Sequence, residues 1–150
     1  MRLNIPNHEF NDLSADLEKK LNLMAEHVLS DQKEDILNIN LKFVSSFEMK
    51  KLNKEFRNKS SDTNVLSFPA SKEIQEISGE LGDIAMSIPY IKTESQNLNR
   101  DEEDHMMHLL AHGILHLLGF DHTEDQDANI MEEQEIKYLK FFKIANPYLI

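Results

Sequence analysis

The chain has 150 residues, 40% of them hydrophobic and 29% charged, with a formal net charge of −11 at pH 7 and no cysteine. That length predicts one domain, spanning 1–150, with a core of ordinary size. The lack of cysteine excludes disulfides and thiolate metal sites, and the acidic balance argues against polyanion binding by the surface as a whole. No apolar run reaches the roughly 18 residues of a membrane span. The N-terminal residues have no long apolar core of the signal-peptide kind. A cytoplasmic protein with no membrane partner is expected.

Residues 2–8 are expected to form a short first strand. A helix follows from about Phe10 to Leu29, where Leu13, Leu17, Leu21, Met24 and Val28 recur at spacings of three and four. Asp31 to Asp35 reads as a polar turn. Leu37 to Val44 alternates strictly between apolar and polar residues and predicts a half-buried strand. Ser45 and Glu48 have capping-box spacing and open a second helix, with Met49, Leu52 and Phe56 as its buried side. The rest of that helix is basic. From residue 42 to 59 six cations (Lys42, Lys50, Lys51, Lys54, Arg57, Lys59) face two acids (Glu48, Glu55), a local excess of +4. Most charge runs are solvated helix faces, but a basic segment in a strongly acidic chain points to an anion.

Asn64 to Pro69 reads as a third strand stopped by proline, Ser71 to Ser78 as a loop, and Gly79 to Met86 as a fourth strand whose glycines indicate close backbone approach or a bulge. A short helix is expected around Pro89 to Leu98. Another begins at Asn99 or Asp101, with Asp101, Glu102, Glu103 and Asp104 in its first turn, where negative charge favours the positive end of the helix dipole. That helix is apolar on nearly every side except for its histidines, so it should run through the core. Gly113 within it is a place where a neighbouring strand or a substrate can approach. Thr123 to Gln126 is a second capping box, and a long helix runs on to about Lys143.

The chemistry lies in the stretch His112-Gly-Ile-Leu-His116-Leu-Leu-Gly119-Phe-Asp-His122. Residues i and i+4 of a helix share a face, so His112 and His116 can address one atom. His108 lies on the same stripe, but it is about 12 Å from His116 along the axis at 1.5 Å per residue, too far to share an ion with it. Gly119 tolerates the left-handed backbone that ends a helix, and the chain can then return to deliver His122. Three nitrogen ligands with a fourth position for water is the pattern of catalytic zinc. The spacing equals that of metzincin proteases, but the glutamate base of those enzymes is replaced by Gly113.

The same stretch resembles the signature of the YbeY family of bacterial metal-dependent endoribonucleases, with Phe120 where tyrosine is more usual. Phe56-Arg57-Asn-Lys59 with Thr63 to Pro69, Gly82-Asp83-Ile84 and Asn146-Pro147-Tyr148 extend the resemblance over roughly residues 40–150. Asp62 stands where the family more often has proline, which leaves the shape of that turn open. The resemblance implies a single-domain α/β (α+β) fold, a small four-stranded mixed sheet flanked by about five helices around a zincin-like site. It implies His112, His116 and His122 as ligands of one Zn2+ ion and Arg57 as the functional arginine, holding the phosphate while zinc polarises it or its nucleophile. It also implies single-stranded RNA as substrate, in late 16S rRNA maturation and ribosome quality control. The partners would be the 16S rRNA precursor, the small ribosomal subunit and its assembly proteins, with no DNA. Asp121 has two roles open to it, orienting a histidine ring or capping the turn. Three rival readings remain: a metallohydrolase of peptide or amide bonds, a non-catalytic ribosome-assembly factor with a structural metal, and a nuclease active only when docked on the ribosome.

Overall fold

In the computed structural model, residues 2–6, 13–34 and 37–149 are described. In chain order they form β1 (Leu3–Asn4), α1 (Ala15–Asp31), β2 (Asn38–Val44), α2 (Ser46–Arg57), β3 (Val65–Pro69), α3 (Lys72–Ser78), β4 (Glu80–Ser87), α4 (Ile88–Asn97), α5 (Glu102–Leu117) and α6 (Asp125–Phe141). The strands make one mixed sheet in the order β1-β2-β4-β3. β1, β2 and β4 run parallel, and β3 is antiparallel on the edge beside β4.

Alternation in the strands decides which face is buried. Ile39, Leu41 and Phe43 of β2 and Ile84 and Met86 of β4 point into the main core, where α1 and α5 supply the opposing side chains. Ala85, one residue out of phase with Ile84 and Met86, joins Val44, Leu66 and Met49 in a smaller cluster under α2. α5 is the central element. Eleven of its sixteen residues are buried, and it packs against α1, α4, α6 and the edge strand β3. A helix with almost no polar face has to lie in the interior.

The structure departs from the sequence expectations in four places. Residues 72–78 form a helix, not a loop, bringing the number of helices among the described residues to six. Ser71 caps α3 by accepting from the Ile74 N–H, and Gly79 ends it at φ 74°. With two turns and no buried residue it leaves no periodic apolar stripe to detect. Phe56 is 60% exposed rather than part of the buried side of α2, which is made by Met49 and Asn53 with Leu52 half-buried beside them. The second capping box does not form: Glu124 is the N-cap of α6 with no side-chain cap bond, and the Thr123 hydroxyl donates to Asp121. β1 is shorter than expected; residues 7 and 8 of that expectation, and 10–12 of the first helix, lie outside the described residues.

Two further expectations have a structural outcome. The turn before β3 is shaped by Asp62 itself, whose Oδ1 accepts from the Thr63 N–H at 2.8 Å. Asn53 of α2 braces the same turn by donating to the Ser61 carbonyl at 2.7 Å. Gly82 marks a close approach of strands. A Cβ there would stand 2.5 Å from the Phe68 carbonyl oxygen, 2.8 Å from Leu117 Cδ2 and 3.0 Å from Pro69 Cα. Two of those neighbours are backbone, so the overlap can be relieved only by moving β3 away from β4. Gly82→Ala is expected to destabilise the fold by at least about 1–3 kcal/mol, the usual penalty for overpacking. Urea unfolding measures it; an unchanged midpoint would show that the strands separate freely.

Candidate metal centre

His112 and His116 lie one turn apart near the C-terminal end of α5. The turn that follows is built from the backbone outward. Leu118 is the C-cap, Gly119 adopts φ 99°, its N–H donates to the His116 carbonyl, and the Phe120 N–H donates to the Leu115 carbonyl. This is the paired bond pattern of a Schellman motif, and it reverses the chain within three residues. Asp121 then accepts from the His122 N–H at 2.7 Å and from the Thr123 hydroxyl at 3.3 Å. Of the two roles open to Asp121, the structure shows the turn-shaping one.

The result is a convergent triad. Donor atoms of His112, His116 and His122 all lie within 4.8 Å of one another, the only such group able to hold a metal ion among the described residues. The ring nitrogens have defined duties. His116 Nδ1 faces the Phe120 carbonyl oxygen at 3.0 Å, and His112 Nδ1 faces Glu135 Oε2 at 3.2 Å. Both acceptors require an N–H, so the proton of each neutral ring sits on Nδ1 and the Nε2 lone pair is left inward. Those two Nε2 atoms are 3.1 Å apart. Two inward lone pairs at that range repel unless a proton or a cation lies between them. Tetrahedral zinc with bonds of 2.0–2.1 Å puts its ligand nitrogens about 3.3 Å apart, so the pair fits such an ion with little adjustment. Burial first, then the neighbouring charges of His112 and His122, lowers the pKa of His116, which favours the neutral, ligating form.

Glu135, on α6, is absent from the sequence expectations. Its side chain is 1% exposed. Oε1 accepts from His108 Nε2 at 2.5 Å and from the Tyr148 hydroxyl at 2.7 Å, while Oε2 takes His112. Burial pushes its pKa up, but the hydrogen bonds from His108, His112 and the Tyr148 hydroxyl outweigh that and hold it at about 2. The Tyr148 hydroxyl is shifted the other way, upward, by burial and by its bond to Glu135. His108 is therefore not a fourth ligand; it holds the carboxylate that orients one. Glu135 falls on the buried stripe of α6, four residues after Met131 and three before Tyr138, so an acid at a core position marks it off from Glu132 and Glu133; its partners, 13, 23 and 27 residues away, are not legible locally. The Arg100 guanidinium donates to the Pro147 carbonyl and pins the C-terminal segment that carries Tyr148.

The triad opens into a cleft of about 680 Å³ lined by Phe56, Arg57, residues 63–69 and the three histidines. The end of α2 thus places Arg57 on the same cleft as the histidines, 55 residues or more away in sequence. Gly113 packs against the sheet. A Cβ there would meet Ile84 Cδ1 at 3.1 Å and Ser67 Oγ at 3.2 Å, and the Ser67 hydroxyl donates to the Gly113 carbonyl at 3.0 Å. The small residue serves strand packing. Among the described residues no carboxylate lines the cleft, and Glu135 approaches His112 from the Nδ1 side.

A family model described as Endoribonuclease YbeY matches residues 4–143. The chain belongs to the YbeY endoribonuclease family. The match reaches further toward the N-terminus than the sequence motifs do. A protein named Endoribonuclease YbeY from Francisella tularensis subsp. novicida strain U112 is 42% identical over 115 residues, covering 74% of this chain and 71% of that one. Its counterpart from Francisella tularensis subsp. tularensis strain SCHU S4 is 42% identical over 115 residues, covering 74% and 68%. The solution structure of TM1509 from Thermotoga maritima superposes with a TM-score of 0.64 at 28% identity, covering 92% of this chain and 87% of that one. Membership of the YbeY family makes the chain a nuclease of the hydrolase class with RNA as its substrate. No helix among the described residues is long and apolar enough to cross a membrane.

Proposed function

We propose that residues 1–150 act as one zinc-dependent endoribonuclease domain that cuts single-stranded RNA in the cytoplasm during late 16S rRNA maturation and ribosome quality control. The small ribosomal subunit and its assembly proteins are the expected partners. The observation that carries this reading is the meeting of His112, His116 and His122 with Arg57 on one cleft. A metal cage alone fits many hydrolases; a metal cage facing a fork-shaped cation suits a phosphodiester.

His112, His116 and His122 would hold the ion, which supplies Lewis acidity toward a phosphoryl oxygen or toward the attacking oxygen. Arg57 binds the phosphate and balances the negative charge that builds on it. The Phe120 carbonyl and the Glu135 carboxylate keep the Nδ1 protons of His116 and His112 in place, so both Nε2 atoms stay available. Among the described residues the cleft has no carboxylate to serve as the general base of the peptidase type, which weighs against the peptide- or amide-cleaving alternative. The RNA 2′-hydroxyl remains as one nucleophile and water as the other. Mass spectrometry of cleaved ends separates them: 2′,3′-cyclic phosphate marks the first, and exclusively linear ends at the shortest times exclude it.

The deciding experiment is metal analysis of wild type beside His122→Ala, with RNA cleavage measured on the same samples. Wild type is expected to hold one zinc per chain and to cleave; the variant is expected to lose most of both. Stoichiometric metal in the variant would remove His122 from the ligand set. Cleavage persisting unchanged in His116→Ala and Arg57→Ala would mark the activity as a contaminant and favour the non-catalytic assembly factor.

A further inference from the structure

Phe56 stands near the C-terminal end of α2. The residue is 60% exposed. Phe47 and Ile77 are more exposed still, but neither borders the histidine cleft, whereas Phe56 does. It is also held in place. Phe68 meets it with ring centroids 4.7 Å apart and planes inclined at 61°. Rings so inclined cannot cover one another face to face, so the contact props Phe56 and leaves a ring face free. Arg57 follows it directly in the chain and lines the same cleft.

A fixed aromatic face beside a guanidinium matches the repeating unit of a nucleic acid, a flat base joined to a phosphate. We propose that Phe56, propped by Phe68, is a platform on which one unpaired RNA base stacks while Arg57 holds a neighbouring phosphate. The proposal rests on the endoribonuclease reading and adds to it a physical source of strand selectivity. In a duplex both faces of each base are taken by its neighbours, so only a single strand offers a face to Phe56. A docking site for a protein would use the same exposed ring, but it would not depend on the bases of an RNA.

The test is a cycle of substitutions in protein and RNA together. A 2′-O-methyl phosphorothioate heptamer, which resists cleavage by either nucleophile, is titrated against the zinc-loaded full chain by fluorescence anisotropy. A series of such heptamers carries one abasic position each. Phe56→Leu is expected to weaken binding of the intact heptamer about 5- to 100-fold, the range for losing one base–aromatic stack. Phe56→Tyr, which keeps the ring, is expected to stay within about threefold of wild type by the same reasoning, since every aromatic face stacks. One abasic position should cost wild type the same factor as Phe56→Leu and cost Phe56→Leu nothing more. Phe56→Leu should also narrow the preference for single strand over duplex. Binding by Phe56→Leu equal to wild type on every heptamer overturns the platform. So do protein and RNA losses that multiply at every position, an outcome that leaves protein docking as the use of the ring. Thermal melting of both variants verifies that they fold. Failure of the catalytic reading looks different: wild type would leave ordinary RNA uncut while the binding cycle held.

Discussion

Arg57→Ala is expected to lower kcat/KM for RNA cleavage by about 10²- to 10³-fold, the loss typical when one preorganised donor to a developing charge is removed. Zinc content is expected to be unchanged, because Arg57 is exposed at the end of α2 and is not among the side chains that meet the triad's nitrogens. The argument is electrostatic. The chain carries −11 overall, so a phosphate approaching it meets a repulsive field except where the segment from 42 to 59 locally reverses the sign. Of that segment, Arg57 lines the cleft. Arg57→Lys keeps the charge and loses the two-pronged geometry, so its rate is expected to fall between the two. A loss below about threefold for Arg57→Ala, against the range just given, would move the phosphate handle to another residue. Lys54 and Lys59 would be the next to test.

Glu135→Ala is expected to weaken zinc affinity by about 10- to 100-fold, as removing an outer partner of a ligating histidine does. It should also cost about 3–5 kcal/mol of stability, the usual result of removing one member of a buried charged network. The carboxylate accepts three hydrogen bonds in an interior position. Without it the N–H groups of His108 and His112 and the Tyr148 hydroxyl lose their acceptor where water cannot readily replace it. The His112 ring is then free to turn its Nδ1 inward, which misdirects the ligand. Competition against a chromophoric chelator reads the first effect and urea unfolding the second. Tyr148→Phe removes one of the three donors and leaves the histidine contacts, so it should show a smaller change of the same sign in both. Metal affinity equal to wild type in Glu135→Ala would reduce Glu135 to a packing residue and leave ring orientation to the helix alone.

Much of the fold follows from local patterns. Strict alternation over 37–44 marks β2, the three-four spacing from 13 to 28 marks α1, and unbroken apolarity marks α5 as the central helix. These signals survive because each reports a face buried along the whole element. α3 escaped for the converse reason: it buries nothing, and only Ser71 and Gly79 at its ends betray it. Phe56 misled because helical spacing shows which residues share a side but not where the helix runs past the sheet. The second capping box failed because α6 begins one residue later, with Glu124 instead of Thr123 at the N-cap.

The candidate site divides in the same way. The sequence alone determined the triad, because its spacing is local: one helical turn separates His112 from His116, and one glycine-permitted reversal brings in His122. It also argued against a protease site, since Gly113 holds the place of the base. Only the tertiary structure decided what surrounds the triad. Glu135 meets His112 because α5 and α6 pack together on one face of the sheet, and Phe56 and Arg57 share a cleft with the histidines because α2 packs on the other face and its end meets α5 along the edge strand β3. The core that achieves this depends on apolar area summed over many residues, and no single residue within it announces which polar groups it will bring into contact.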